Sequence, residues 1–506
     1  MTVTARETET KYELPDGAVL PHLGKLPGVK ATSGPDEEKL EAEYYDTDDL
    51  RLLRAGITLR RRRGGHDAGW HLKLPEGAGT RLEIRRPPGR GKGQVPGEFA
   101  EMVRVHTRGR PLRLVARMTT RRQRLVLLGK GGESLAEVAS DDVSAQTLGD
   151  STTVSRWREV EVELTGGDRE LLAAADELLR RVGLRPAGRA AKLERALGGE
   201  LPEVSQPPLL TPGSPASTVV LAYLREQAQR LKALDPMVRR DEPDAVHQMR
   251  VATRRLRATL RSFRRMISGA RTEHLAAELR WLGGVLGEAR DAEVLTQHLD
   301  EVLRTVPVEQ LIGPVQARVQ VHFAPVRAQA REAAVAALDS QRYFALLDEL
   351  ERVIDELPFR PRAAGPASDV LPREVRRAYR KTARRMRRAP RAAAGDATDV
   401  ALHEARKAAK QARYAGELAA PALGQDAGRF AKRMKKLQSV LGAHQDAVIA
   451  RQAERDLGIE AHLAGENAFT WGLLHERERH HAGDLQAQAA AAWRKASRSR
   501  YRAWLR

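Results

Sequence analysis

The first residues able to do chemistry are Glu7-Thr8-Glu9-Thr10-Lys11. In an extended chain successive side chains alternate faces, so Glu7, Glu9 and Lys11 share one side. Two carboxylates beside an ammonium suit a divalent cation, with the lysine left for an anionic substrate. A solvated edge strand would show the same pattern, so the remainder of the segment decides between them. The two-residue spacing recurs in Arg60 and Arg62, in His71 and Lys73, and in Arg81 and Glu83. Leu112 to Leu128, expected as a long strand pair, carries Arg113, Arg117, Arg121, Arg122 and Arg124. Glu137 precedes Asp141 and Asp142, and Glu159, Glu161 and Glu163 then alternate with Val160, Val162 and Leu164 as in a half-buried strand.

The elements that must position these groups are short alternating segments broken by Gly and Pro. Over residues 1–198 they predict an antiparallel sheet or barrel. With the charges turned inward, a closed barrel becomes a tunnel lined by acids and bases. Unpaired, that lining would be very costly. It is reasonable when acids hold a metal and bases hold a phosphate chain. Arginine offers a planar fork to phosphate oxygens, and lysine a compact charge. No Walker-type sequence is present.

Together these residues resemble the CYTH superfamily, the triphosphate tunnel metalloenzymes that include thiamine triphosphatases and class IV adenylyl cyclases. The ExExK signature stands as Glu7, Glu9 and Lys11, the paired-arginine strand as Arg60 and Arg62, and W-x-L-K as Trp70 to Lys73. Arg81 with Glu83 matches the R-x-E element, and Glu159 with Glu161 the late acidic strand, with Glu163 an extra acid on its face. Lys192 looks like the family's late lysine. The resemblance implies that Glu7, Glu9, Glu159 and Glu161 bind Mg²⁺ or Mn²⁺. It implies that Lys11, Arg60, Arg62 and Lys73 act on the substrate, and that Arg81, Glu83, Arg117, Arg122 and Lys192 bind the triphosphate. Arg121 is the alternative to Arg122, and either Asp141 or Asp142 is the inward acid. Cyclisation of ATP is the family's other chemistry, but nothing reads as a dedicated adenine pocket.

The 506 residues carry a net charge of +20, are 41% hydrophobic and only 4% aromatic, and include no cysteine. Such length predicts two or three domains. Disulfides, thiolate metal sites and thiol nucleophiles are excluded. The positive field selects polyanions: nucleic acid, anionic lipid or polymeric phosphate. No apolar run approaches the ~18 residues of a membrane span. Met1 to Leu14 lacks an apolar signal core, so a cytoplasmic protein is expected.

Pro202, Pro207, Pro208, Pro212 and Pro215 mark a linker over 199–217. Beyond it the periodicity is helical and a repeat appears. His247, Arg250, Arg254 and Arg257 recur as His403, Arg406, Lys410 and Arg413, at an offset of 156. Leu282-x-x-Val285-Leu286-Gly287 with Asp291 recurs as Leu437-x-x-Val440-Leu441-Gly442 with Asp446, at 155. Two helical repeats are expected, about 218–357 and 373–506, meeting near Pro358 to Pro372. His247, Arg250, Arg254, Arg257 and Arg261 fall on one helical stripe, apart from an apolar stripe of Met249, Leu256, Leu260, Phe263 and Ile267. Few acids interrupt either basic stripe, and the duplication could set the two along one anion-binding groove.

This half resembles the CHAD domain, a duplicated helical module associated with inorganic polyphosphate. The resemblance implies polyphosphate contacts by both stripes, His247 and His403 included. Those histidines sit among cations and suit a phosphate contact better than a metal. Lys410 for arginine, and Gln445 where the first copy has Arg290, predict unequal halves. The expected fold is α+β: an N-terminal antiparallel β-barrel tunnel, then a C-terminal all-α duplicated helical bundle over 218–506. The expected function is a metal-dependent triphosphatase tethered to a polyphosphate-binding module, with polyphosphate granules as a place of work. The rival is a non-catalytic polyphosphate scaffold. Nucleic acid is a weaker partner, because the stripes lack interleaved aromatics for base stacking.

Overall fold

The computed structural model describes every residue except 1–2, 16, 78–79, 90–92, 150–151, 188–190, 198–207, 268 and 392–394. The chain divides into two units, Met1–Ser205 and Gln206–Arg506. The expected linker prolines Pro202 and Pro207 lie outside the described residues.

In the first unit eight strands close an antiparallel barrel: β1 (Val3–Glu13), β2 (Ala31–Asp46), β3 (Thr58–Arg63), β4 (Gly69–Gly77), β5 (Thr80–Arg86), β6 (Arg113–Leu128), β7 (Ser134–Thr147) and β8 (Val154–Leu164). The order is β5-β4-β3-β2-β6-β7-β8-β1, and a two-residue strand, β9 (Arg185–Pro186), flanks the end of β1. Closure comes from β1, whose residues 3–8 pair with β5 while residues 9–13 pair with β8. Leu112 to Leu128 was expected as a strand pair, but Arg113–Leu128 is one unbroken strand between β2 and β7. It holds neither Gly nor Pro, so nothing in it can turn the chain.

The barrel is apolar outside and charged within. Val160 and Val162 of β8 and Tyr12 of β1 point outward and are buried under Leu171, Leu172, Ala175 and Leu179. Those four residues belong to a helix, Arg169–Arg181, whose first turn is capped by Asp168 accepting from the Leu171 N–H at 3.0 Å. Trp70, Leu72, Leu82 and Ile84 are likewise covered by Phe99, Met102 and Val103. Each such side chain contributes roughly 1.5–3 kcal/mol by leaving water. The burial of these outer faces therefore forces the alternate residues of the same strands inward. At one end the inward set turns apolar, where Tyr44, Met118, Val143 and Trp157 pack against Leu193 and Ala196 of the short helix Lys192–Ala196.

The second unit is helical. Numbering its helices alone, the first half holds α1 (Ala216–Arg239), α2 (Ala245–Ser262), α3 (Ala270–Arg304), α4 (Val315–Asp339) and α5 (Gln341–Asp355). The second half holds α6 (Ala367–Arg388), α7 (Asp396–Leu423), α8 (Gln425–Leu463) and α9 (Phe469–Ala496), then two short 3₁₀ turns, Ser499–Tyr501 and Ala503–Leu505. The halves start alike, on Pro215 and Pro366 as N-caps, and these two residues bridge each other. Helix α6 thus begins before the expected residue 373, and Pro372 lies inside it. Met249, Leu256, Leu260, Phe263 and Ile267 are all buried, as their spacing requires. In α7 the core side is Ala405, Ala408, Ala409, Ala412 and Ala415, small residues that let neighbouring helices approach closely. Among the described residues no helix is long and apolar enough to cross a membrane.

Candidate functional site

The barrel encloses a cavity of about 210 Å³. Glu7, Glu9, Lys11, Arg60, Arg62, Lys73, Arg81, Glu83, Arg122, Glu161 and Lys192 all line it. Two ion-pair clusters organise the lining. In the first, Lys73 donates to Glu7 and lies 3.6 Å from Glu83. Arg85 reaches Glu83 and, at 3.4 Å, Glu7. The His71 ring stands 2.8 Å from Glu83 Oε1. Glu83 is therefore an anchor for cations rather than a direct phosphate ligand, since its own charge repels phosphate. Burial, with Glu83 adding to it, raises Glu7 above the usual carboxylate range despite Lys73.

In the second cluster Lys192 lies 2.9 Å from Asp141 and 2.6 Å from Glu161, and it also pairs with Glu159. Arg122 grips Asp141 with two bonds of 2.8 and 2.7 Å and donates to Glu161 at 2.8 Å. Burial opposes charge on Lys192, but Asp141, Glu161 and Glu159 outweigh it and hold its pKa well above the ordinary value. Asp141, Glu159 and Glu161 have oxygens within 4.8 Å of one another, close enough for a metal. The Lys192 ammonium already supplies the positive charge there.

The strand register separates the expected metal ligands. Glu9 is directly opposite Glu163, Lys11 opposite Glu161, and Glu13 opposite Glu159. Glu159 thus lies six residues along from Glu7, about 20 Å at strand rise, too far to share an ion with it. The Glu159 carboxylate instead accepts from the Trp157 indole at 2.6 Å. Glu163, by contrast, faces Glu7, Glu9 and Glu161, and no cation lies within ion-pairing distance of it among the described residues. Burial, then Glu7, Glu9 and Glu161, push its pKa up to about 7, against the pull of Lys73. Glu163, half-buried and short of positive charge, stands among Glu7, Glu9 and Glu161, whereas the acid oxygens already gathered closely enough for one ion are those of Asp141, Glu159 and Glu161.

The base side carries the complementary signature. The buried Nε atoms of Arg60 and Arg62 have no acceptor among the described residues. Arg60 otherwise donates to the Tyr44 hydroxyl at 3.3 Å, and Arg62 pairs with Asp67. Both residues line the cavity, and their Nε donors are left without a protein acceptor among the described residues.

Arg117 does not join the lining. Its side chain is 57% exposed and faces Glu43 at 3.7 Å on the outside of the barrel. Strand parity is the reason, because Met118, Thr120 and Arg122 point inward. The same parity sends Arg121 and Asp142 outward and Arg122 and Asp141 inward. Sequence reasoning missed Arg85 and Tyr44. Arg85 continues the alternation of Arg81 and Glu83, and that signal could have found it.

In the helical unit, Arg250 and Arg254 of α2 come close enough to Arg406 and Lys410 of α7 to oppose their charge. Arg250 donates to Asp291 at 2.7 Å, and His403 stands 2.5 Å from Gln445 Oε1. Burial and the Arg290 and Arg254 charges push His247 below its ordinary pKa, which disfavours a further positive charge among these cations. Lys410 is pushed down to about 7, by burial first and then by Arg406, Arg254 and Arg250. The buried Nε atoms of Arg254, Arg290 and Arg406 again lack acceptors among the described residues. Arg257 lies near Arg254 and Arg261 and is disfavoured as a cation by burial and by them. Arg413 departs from the group, since it donates to Glu417 at 2.6 Å and Gln438 at 2.9 Å.

The model of the CYTH domain matches residues 5–192, and that of the CHAD domain matches residues 222–455. Two Mycobacterium tuberculosis proteins, uncharacterized protein MT2285 of strain CDC 1551 and uncharacterized protein Rv2226 of strain H37Rv, are each 38% identical over 514 residues. The alignment spans 97% of this chain and 96% of each of theirs. Among solved structures, the CHAD domain from the plant Ricinus communis aligns at 26% identity and a TM-score of 0.46, covering 58% of this chain and 97% of that one.

Proposed function

The chain belongs with these mycobacterial proteins to one family, a CYTH domain followed by a CHAD domain, and from that premise we propose that its barrel is a divalent-metal-dependent triphosphatase and its helical unit binds inorganic polyphosphate. The observation that carries the first half is the division of the cavity. Glu163, which has no ion-pairing cation among the described residues, shares one interior with Arg60 and Arg62, whose Nε donors have no acceptor there. A triphosphate with its metal satisfies both deficits at once.

Glu7, Glu9, Glu161 and Glu163 would hold Mg²⁺ or Mn²⁺. When bound, such an ion activates water and polarises a phosphoryl oxygen. Arg60 and Arg62 receive phosphate oxygens, and Lys11, Lys73 and Arg122 neutralise charge that develops as the terminal phosphoryl group leaves. Arg81 and Lys192 complete the positive wall. Glu83 and Asp141 position these cations, a role different from contact with substrate. In the helical unit the unpaired guanidinium donors of Arg254, Arg290 and Arg406 support a polyanion contact. Holding a polymer there raises the local concentration of phosphate chains for the tethered enzyme and would retain it on polyphosphate granules.

Phosphate release from tripolyphosphate by the full-length protein, with Mg²⁺, Mn²⁺ or EDTA, tests the reading. Metal-dependent release that disappears in Glu9→Ala is expected. A folded protein that releases none, yet binds long polyphosphate, would leave a binding scaffold in place of the enzyme.

A further inference from the structure

Apart from the α2–α7 groove, helix α6 presents a second basic array. Arg376, Arg380, Arg384 and Arg387 follow at spacings of four, four and three, which sets them on one helical face. Opposite them stand Arg502, Arg506 and the ring of Trp493, around a cavity of about 1000 Å³ with no Asp or Glu side chain in its wall. None of the four α6 arginines has an ion-pair partner among the described residues. Half of this cleft, Trp493 to Arg506, lies beyond the residues that match the CHAD model.

Two residues join the cleft to the end of the α2 stripe. Arg377 and Lys381 line the large cavity and also a neighbouring one of about 250 Å³, whose other walls include Arg261, Arg264 and Arg265. The single carboxylate there, Glu374, is taken by Arg377. Arg261 closes the α2 stripe that begins at His247. A continuous cationic path therefore runs along α2, across Lys381 and into the cleft. From Arg250 to Arg261 and again from Arg376 to Arg387 it follows about 16 Å of helix. A path this long, with cations at every step, exceeds what a short phosphate chain can engage.

We propose that the cleft extends the polyphosphate site: a chain seated between α2 and α7 continues past Arg261 and Lys381 onto the α6 arginines, so the protein selects long polymers over short ones. This rests on the helical unit binding polyphosphate at all. It adds a site, and a length preference, to that reading.

The test is equilibrium binding to the full-length protein in EDTA, using long-chain polyphosphate and a chain of a few phosphates. Three proteins are compared: the unaltered chain, Arg380→Gln with Arg384→Gln and Arg387→Gln, and Arg250→Gln with Arg406→Gln. The α6 variant should lose at least about tenfold in affinity for the long chain and show a shallower salt dependence. Its affinity for the short chain should be unchanged, while the groove variant loses long-chain binding. All three α6 arginines are exposed, so folding is not at stake. If the unaltered protein fails to bind long polyphosphate, the reading of the helical unit falls and this inference with it. If it binds and the α6 variant equals it, or loses both lengths equally, the extension alone is overturned. Single-stranded DNA that displaces polyphosphate at equal concentration, through the α6 arginines only, would assign the cleft to nucleic acid instead.

Discussion

Glu9 and Glu163 stand directly opposite one another where β1 pairs with β8, both turned into the barrel. Opposed like charges are destabilising, so the pair persists only if something relieves it. A proton does so in the free protein, since Glu163 is pushed up to about 7. A metal ion must displace that proton. Mn²⁺ affinity should therefore rise with pH up to about 7, by at most tenfold per unit, and level off above it. Glu163→Gln should bind Mn²⁺ at least about tenfold more weakly at pH 8 and lose the pH dependence between 6 and 7. Calorimetric titration at pH 6 and pH 8 measures both effects. Unchanged affinity at pH 8 would remove Glu163 from the site.

Lys192 balances three buried acids, Asp141, Glu159 and Glu161. Removing one member of a buried ionic cluster strands the others, at a cost of about 3–5 kcal/mol. Lys192→Ala should lose stability of that order at pH 7, read by urea denaturation. Asp141 and Glu161 sit below the ordinary carboxylate range with Lys192 present, despite burial. Their contribution is present above the unfolded pKa and fades as pH falls through the folded one. The variant should lose this slope, so the two proteins should converge as the medium is acidified. A gap that stays constant as pH falls from 7 through 4 to about 2 would contradict the assignment.

Much of the barrel was legible because a strand with one covered face must alternate. Val160 and Val162 need cover, and that need turns Glu159, Glu161 and Glu163 inward without any knowledge of the partner strand. The partner was not legible. Whether Glu9 faces Glu161 or Glu163 depends on a register that no local pattern encodes, and so Glu159 was grouped with Glu7. Arg117 shows a different limit. It shares parity with Arg121, so on one unbroken strand Arg117 and Arg122 cannot both face the cavity. Reading Leu112 to Leu128 as two strands hid that conflict. In the helical half the 3.6-residue period marks the α2 and α7 stripes, and the repeat pairs them. The α6 cleft was hidden because half its wall comes from the end of the chain, which no repeat announces.

The glycine of the repeated Val-Leu-Gly motif has a specific task. A Cβ at Gly287 would stand 3.3 Å from the Arg250 guanidinium, whereas one at Gly442 would stand 3.7 Å from Arg406. The first contact is too close without movement, and the arginine end is what can move. Alanine for a mid-helix glycine also favours the helix by roughly 0.5–1 kcal/mol. Gly287→Ala should thus melt no lower than the unaltered protein, yet bind polyphosphate several-fold more weakly. Gly442→Ala should have the smaller effect on binding. Thermal denaturation and polyphosphate titration of the two variants check the asymmetry, and equal losses would refute it.

Lys410 gives the groove a pH dependence of its own. Burial, then Arg406, Arg254 and Arg250, push its pKa down to about 7, so near neutral pH only part of the free protein carries this charge. A polyanion between α2 and α7 offsets the repulsion from those arginines and raises the Lys410 pKa. Binding then takes up a proton wherever the free amine is neutral and the bound one charged. Affinity for polyphosphate should be flat below about pH 7 and decline as pH rises above it. Arginine stays charged throughout this range. Lys410→Arg should therefore abolish the decline between pH 7 and pH 9 while leaving affinity at pH 6 close to that of the unaltered protein. Titrations at pH 6, 7.5 and 9, at one ionic strength, measure it. A decline that survives in Lys410→Arg would belong to another group and separate Lys410 from the bound polymer.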